Sequence, residues 1–241
     1  MKKKQREVLR RQEHRQRLRE AKRRRQSGAN LNRSRPQREE RPNILIVCEG
    51  ENTEPSYFSQ FKLTNAQIIA VGEGKNTLSL VESVGRIRKQ FDQAFDQVWC
   101  VFDKDDFPDP NFDNAIEKAK SLGYRVAYSN QAFEYWFLLH FEAHNGGPMP
   151  RTDYHKKLND HLKDFRISYD KNSKKVLPEF FEVMLSLTGS QLEESNRPET
   201  LQDLAIKRAE RILAYHSGET PANSESSTTV YKLVEELNRY L

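Results

Sequence analysis

The sequence predicts an α/β protein: a mainly parallel four-stranded sheet flanked by helices, with a basic N-terminal arm and a helical C-terminal extension. Two apolar runs point there first. ILIVC at 44–48 leads into Glu49 and Gly50, and VWCVF at 98–102 leads into Asp103, Lys104, Asp105 and Asp106. Continuous apolar runs of this length, bounded by turn residues, read as strands buried on both faces of a parallel sheet. The third observation is an alternation of strand-like and helix-like patterns, βαβαβαβ, the signature of parallel strands with covering helices.

The elements follow in chain order. After the first strand, Asn52 or Thr53 suits a helix N-cap and Pro55 its first turn, with Tyr57, Phe58 and Phe61 on the buried face. AQIIAVGEG at 66–74 is a second strand. Asn76 or Thr77 then opens a helix whose Leu80, Val81, Val84, Ile87 and Phe91 keep helical spacing. The strand at 97–103 follows. A further helix starts at Asp109 and Pro110, and Gly123 closes it in the position favoured after a C-cap. YRVAYS at 124–129 is the fourth strand. The helix at 132–142 is apolar nearly all round, which predicts burial. Thr152 caps the next helix, residues 165–175 are irregular, and helices are expected at 178–187, 200–215 and 229–241. The expected division is an arm and linker at 1–42, an α/β domain at 43–151 and a helical extension at 152–241.

Charge is distributed unevenly. Residues 1–41 carry 17 Lys and Arg against 5 Asp and Glu, a net of +12. The whole chain has 40 against 35, so residues 42–241 hold 23 against 30, a net of −7. A basic block such as Arg10, Arg11, Arg15, Arg17, Arg19, Lys22, Arg23, Arg24 and Arg25 supplies counterion-release affinity for nucleic acid. The plainer alternative is a solubilising arm. No apolar run approaches 18 residues, which excludes a transmembrane helix, and no apolar signal segment follows the first lysines. Cys48 and Cys100 lie inside predicted strands without CxxC or Cys/His clustering, so they read as reduced core thiols of a cytoplasmic protein.

Acids at the carboxyl ends of parallel strands sit where open α/β sheets bind ligands. If the third strand lies beside the first, away from the second, Glu49 and Asp103 flank one crevice. Phosphodiester hydrolysis needs an activated water and neutralised phosphate charge, and Mg²⁺ or Mn²⁺ held by carboxylates supplies both. Asp103 and Asp105, two apart in a strand end that turns, can reach one ion. Lys104 then points elsewhere or meets a phosphate. Glu49 is a ligand or the base, and Gly50 allows a sharp turn. Glu134 shares its helix face with Phe137, Leu138 and Phe141, so its carboxylate must be paired or hold a metal. His140 lies on another face and reads first as a core hydrogen-bonder. No G-x-x-x-x-G-K-[ST], G-x-G-x-x-G or G-x-S-x-G motif is present. An aspartyl nucleophile in the DxD would leave Glu49 unexplained.

The pair strand–EG and strand–DxD resembles the Toprim domain of topoisomerases, primases and OLD-type nucleases. More closely, CEGENTEPSYF, VFDKDD, SNQAFEYWFLLHFE and STTVYKLVEEL resemble the RloB family over residues 43–240. The resemblance implies a Toprim-like fold and Mg²⁺- or Mn²⁺-dependent endonuclease chemistry on DNA or RNA. It also implies antiphage abortive infection beside an AAA or SMC-like ATPase. It assigns Glu49, Asp103 and Asp105 as the working acids, with Glu54, Asp106 and Glu134 also on family motifs. A non-catalytic adaptor, binding a partner through the acidic rim and basic arm, is the competing expectation.

Overall fold

The computed structural model describes residues 41–70, 77–105, 108–170, 172–191 and 197–241. The basic arm, Asp106 and the end of the expected second strand lie outside them.

Residues 41–241 form one compact unit around a five-stranded sheet of order β2-β1-β3-β4-β7. Strands β1 (Ile44–Cys48), β2 (Ala66–Ala70), β3 (Gln97–Asp103) and β4 (Arg125–Asn130) run parallel, while the two-residue β7 (Ser227–Thr228) lies antiparallel against β4. The expected four strands are therefore five. A two-residue strand of Ser and Thr carries no periodicity of its own and is specified by its partner. Its small hydroxyl side chains are buried, the hydroxyls of Ser129 and Thr228 lie 3.1 Å apart, and Thr229 Oγ1 accepts the Tyr128 N–H at 2.9 Å.

Side chains alternate across the sheet because successive strand residues face opposite ways. Ile44, Ile46, Cys48, Trp99 and Val101 face one side, and Leu45, Val47, Val98, Cys100 and Phe102 the other. The second set packs on α2 (Thr77–Arg88) and α3 (Asp109–Ser121). The first packs on α1 (Thr53–Ser59), α4 (Glu134–Phe141), α5 (Arg151–Leu162), α6 (Pro178–Met184), α7 (Leu201–Tyr215) and α8 (Val230–Asn238). Helix α4 is the hydrophobic centre of that layer: every residue from Glu134 to His140 is buried. Truncating Trp136 or Phe137 there to alanine is worth about 3–5 kcal/mol.

The helix expected at 178–187 stops at Met184, and Leu187–Gln191 is instead strand β5, paired antiparallel with β6 (Pro198–Thr200). Gly189 at φ 84° needs the left-handed region, which a helix would not allow. Thr200 then starts α7 with a capping box closed by Asp203. The C-terminal segment is thus helical with an added β-ribbon and one sheet strand. No helix among the described residues is long and apolar enough to cross a membrane.

Candidate active site

With β3 beside β1 and β2 on the far side, the strand order reverses between β1 and β3, and the crevice beyond their carboxyl ends is the expected ligand position. Glu49 follows β1 directly. Its N–H donates to the Val101 carbonyl at 2.9 Å, and its carboxylate accepts the Asp103 N–H, so two hydrogen bonds tie it across to β3. Its pKa is pushed up to about 8, first by burial and then by the charges of Asp105 and Glu54, against the opposing Asp103 N–H.

Gly50 leaves room for the glutamate four residues later. A Cβ at position 50 would collide with the Glu54 carboxylate, which folds back from the first turn of α1. Glu54 is 5% exposed and its pKa is pushed up to about 7. Burial is the main cause. Its own backbone N–H opposes the shift, Glu134 and Asp105 add to it, and Lys174 opposes it.

Asp103 ends β3 and is 8% exposed. Its Oδ2 accepts the Phe133 N–H at 3.0 Å, next to the start of α4, while its buried Oδ1 has no hydrogen-bond partner among the described residues. Burial, followed by Glu54, Asp105 and Glu134, raises its pKa well above the carboxylate range, with Arg151 opposing. The chain then turns sharply. Lys104 N–H donates to the Ser129 carbonyl and Asp105 N–H to the Gln131 carbonyl, at 2.9 and 3.0 Å. Asp105 adopts φ 44°, a left-handed conformation that aspartate tolerates better than most residues. Local strain of this kind collects at functional sites. The Lys104 ammonium pairs with Asp109 at 2.9 Å.

Glu134 brings a fifth carboxylate, from the first turn of α4. It is 3% exposed, accepts from the Tyr169 hydroxyl at 3.3 Å and lies 3.8 Å from His155 Nε2. Tyr169 also meets Thr53 Oγ1 at 3.2 Å, linking α1 to the same group. His140 goes elsewhere. Its Nδ1 donates to the Trp136 carbonyl at 3.0 Å, its ring packs on Trp136, and burial lowers its pKa to about 3, so it stays neutral in the core.

The sequence reading did not anticipate Arg151, which pairs its guanidinium with Asp105. Burial opposes its charge, but Asp105, Glu134, Asp103 and Glu54 outweigh that and raise its pKa. One signal was available: an arginine in the first turn of a helix opposes the helix dipole, so something else must hold it there. Tyr169 and His155 gave no such signal, because their role arises only from packing.

Carboxylates converging from β1, β3, α1 and α4 are oxygen donors of the kind hard divalent cations prefer, and the unpartnered Asp103 Oδ1 is free to accept one. The donor set fits Mg²⁺ or Mn²⁺ in chemistry. As the side chains stand, with Arg151 on Asp105, no group of three His, Cys, Asp or Glu among the described residues is arranged to hold an ion.

A family model described as RloB-like protein matches residues 44–237, about four-fifths of the chain. No match was found among curated proteins or among solved structures. The matched span takes in both acid-bearing strands, α1 with Glu54, α4 with Glu134, and β7. The chain belongs to the RloB-like family.

Proposed function

We propose that the chain is a Toprim-like, Mg²⁺- or Mn²⁺-dependent phosphodiester hydrolase, an endonuclease on DNA or RNA. The observation that carries this reading is Asp103: a buried carboxylate with an unpartnered oxygen, opposite Glu49 across the crevice between adjacent parallel strands. Glu49, Asp103 and Asp105 would hold the ion, which when bound neutralises phosphate charge and activates water. Glu49, tied to β3 at the mouth of the crevice, would serve as a ligand of the ion or as the base for the water. The Phe133 N–H fixes the orientation of Asp103, and the left-handed turn at Asp105 directs a second acid to the same crevice. The proposal extends to a partner ATPase of AAA or SMC-like type and to abortive infection of phage-infected cells, on family membership alone.

The test is cleavage of plasmid DNA and of total tRNA by wild type and Asp103→Asn, with Mg²⁺, Mn²⁺ or chelator. Metal-dependent cutting that the folded variant loses is the expected result. Cutting by the variant at the wild-type rate sinks the reading. A second reading draws on Arg151: a crevice that already pairs with one guanidinium suits the basic surface of a partner, which would make the chain an adaptor. Partner binding insensitive to metal and lost in Asp103→Asn would favour it.

A further inference from the structure

We propose that Arg151 is a resident counter-cation of the carboxylate crevice, which a divalent ion must displace to bind. Through it the chain sets its own metal affinity. This rests on the metal reading above.

Five carboxylates converge here: Glu49, Glu54, Asp103, Asp105 and Glu134. Packed so closely, they repel one another, and a cation from the protein's own side chains relieves that repulsion. Among the described residues, His155, Lys174 and Arg151 act on them. His155 approaches Glu134 at 3.8 Å, Lys174 acts on Glu54 from the irregular segment after α5, and Arg151 pairs directly with Asp105. Lys104, though adjacent in sequence, is engaged by Asp109. Arg151 feels Asp105, Glu134, Asp103 and Glu54 together.

Its position also makes it displaceable. It pairs with Asp105 Oδ1, the kind of oxygen a divalent ion would take, and like charges cannot share that oxygen without repulsion. The arginine side chain is 41% exposed, so an exit to solvent is open. It stands at the first residue of α5, after Pro148 and Pro150, so its backbone is fixed while its long side chain can swing. Such an exchange would leave Asp105 and Asp103 facing the ion together. A released guanidinium is in turn suited to a phosphate, which it binds through two parallel N–H donors.

The experiment is Mn²⁺ titration by calorimetry on the full chain, stripped with chelator, for wild type, Arg151→Met, Arg151→Lys and Asp103→Asn. Arg151→Met keeps length and loses charge, and about tenfold tighter Mn²⁺ binding is expected, equivalent to roughly 1.4 kcal/mol. Arg151→Lys should stay near wild type. Arg151→Met binding no tighter than wild type, with Asp103→Asn abolishing binding, overturns the displacement and leaves the metal site standing. Absence of Mn²⁺ binding in every protein, wild type included, overturns both. A measurement on wild type guards against a variant that fails to fold. Guanidinium NMR signals of Arg151 should show hindered rotation without metal and free rotation when saturated with Mg²⁺. Hindered rotation persisting at saturation overturns the proposal.

Discussion

Glu54→Gln isolates the cost of one buried charge beneath the crevice. The wild-type carboxyl has its pKa pushed from 4.5 to about 7 by burial, Glu134 and Asp105, with its backbone N–H and Lys174 opposing. Below about pH 4.5 the group is neutral in both folded and unfolded chains and costs nothing. Between 4.5 and 7 the folded chain keeps the proton and the unfolded chain releases it. Unfolding then releases a proton, and stability falls as pH rises. The shift of about 2.5 units, at about 1.4 kcal/mol per unit, amounts to a loss on the order of 3 kcal/mol, complete above pH 7. Glutamine has no proton to lose and keeps an oxygen for the backbone N–H. The assay is urea unfolding of both proteins in chelator at pH 4.5 and pH 8. The stability gap should move by about 3 kcal/mol in favour of Glu54→Gln between the two. The Glu54 charge also raises the pKa values of Glu49 and Asp103, so its removal moves the gap further in the same direction. A gap that stays constant across the range would refute the argument, because it would mean that Glu54 is as comfortable charged in the fold as in water.

Two glycines give a matched pair. Gly50→Ala pushes a Cβ against the flexible end of the Glu54 side chain, which must shift; it should cost about 1 kcal/mol by thermal unfolding, with weaker Mn²⁺ binding. Gly85→Ala, exposed within α2 and touching nothing within 4 Å, should stabilise by about 1 kcal/mol. If both mutations behave alike, close packing at Gly50 is not what distinguishes them. Removal of the basic arm by starting the chain at Pro42 should leave the melting profile intact. It should also flatten the dependence of nucleic-acid affinity on salt, read by titrations at several salt concentrations. An unchanged slope would return the arm to a solubilising role.

The strands that carry the site were legible because β1 and β3 are buried on both faces, which forces unbroken apolar runs ending in acids. The order placing β3 beside β1 entered as a condition, since chain order does not fix strand order, and the structure satisfies it. Glu134 was readable as unusual and Glu54 only as a family-motif residue, but their company was not. The contact of Glu54 with Gly50 is local, four residues apart. Glu134 meets Tyr169 across 35 residues, through packing that no periodicity encodes. Arg151 and Asp105 are 46 apart and meet only because α5 and the β3 turn close on the same crevice. His140 was placed on a separate face by helical spacing alone, and the structure buries it in the core.

The short strand β7 affects how and when the crevice is built. Ser129 and Thr228 are 99 positions apart, so a ribosome finishes all four parallel strands long before it makes the pair that closes their edge. Until then β4 presents unpaired backbone groups, a surface open to mispairing with other chains. The same stretch supplies the carbonyls of Ser129 and Gln131 that hold Lys104 and Asp105. The turn bearing Asp105 therefore has its support completed only when residues near 228 have emerged and docked. Unfinished chains, and chains clipped near the C-terminus, would carry the acids without the geometry.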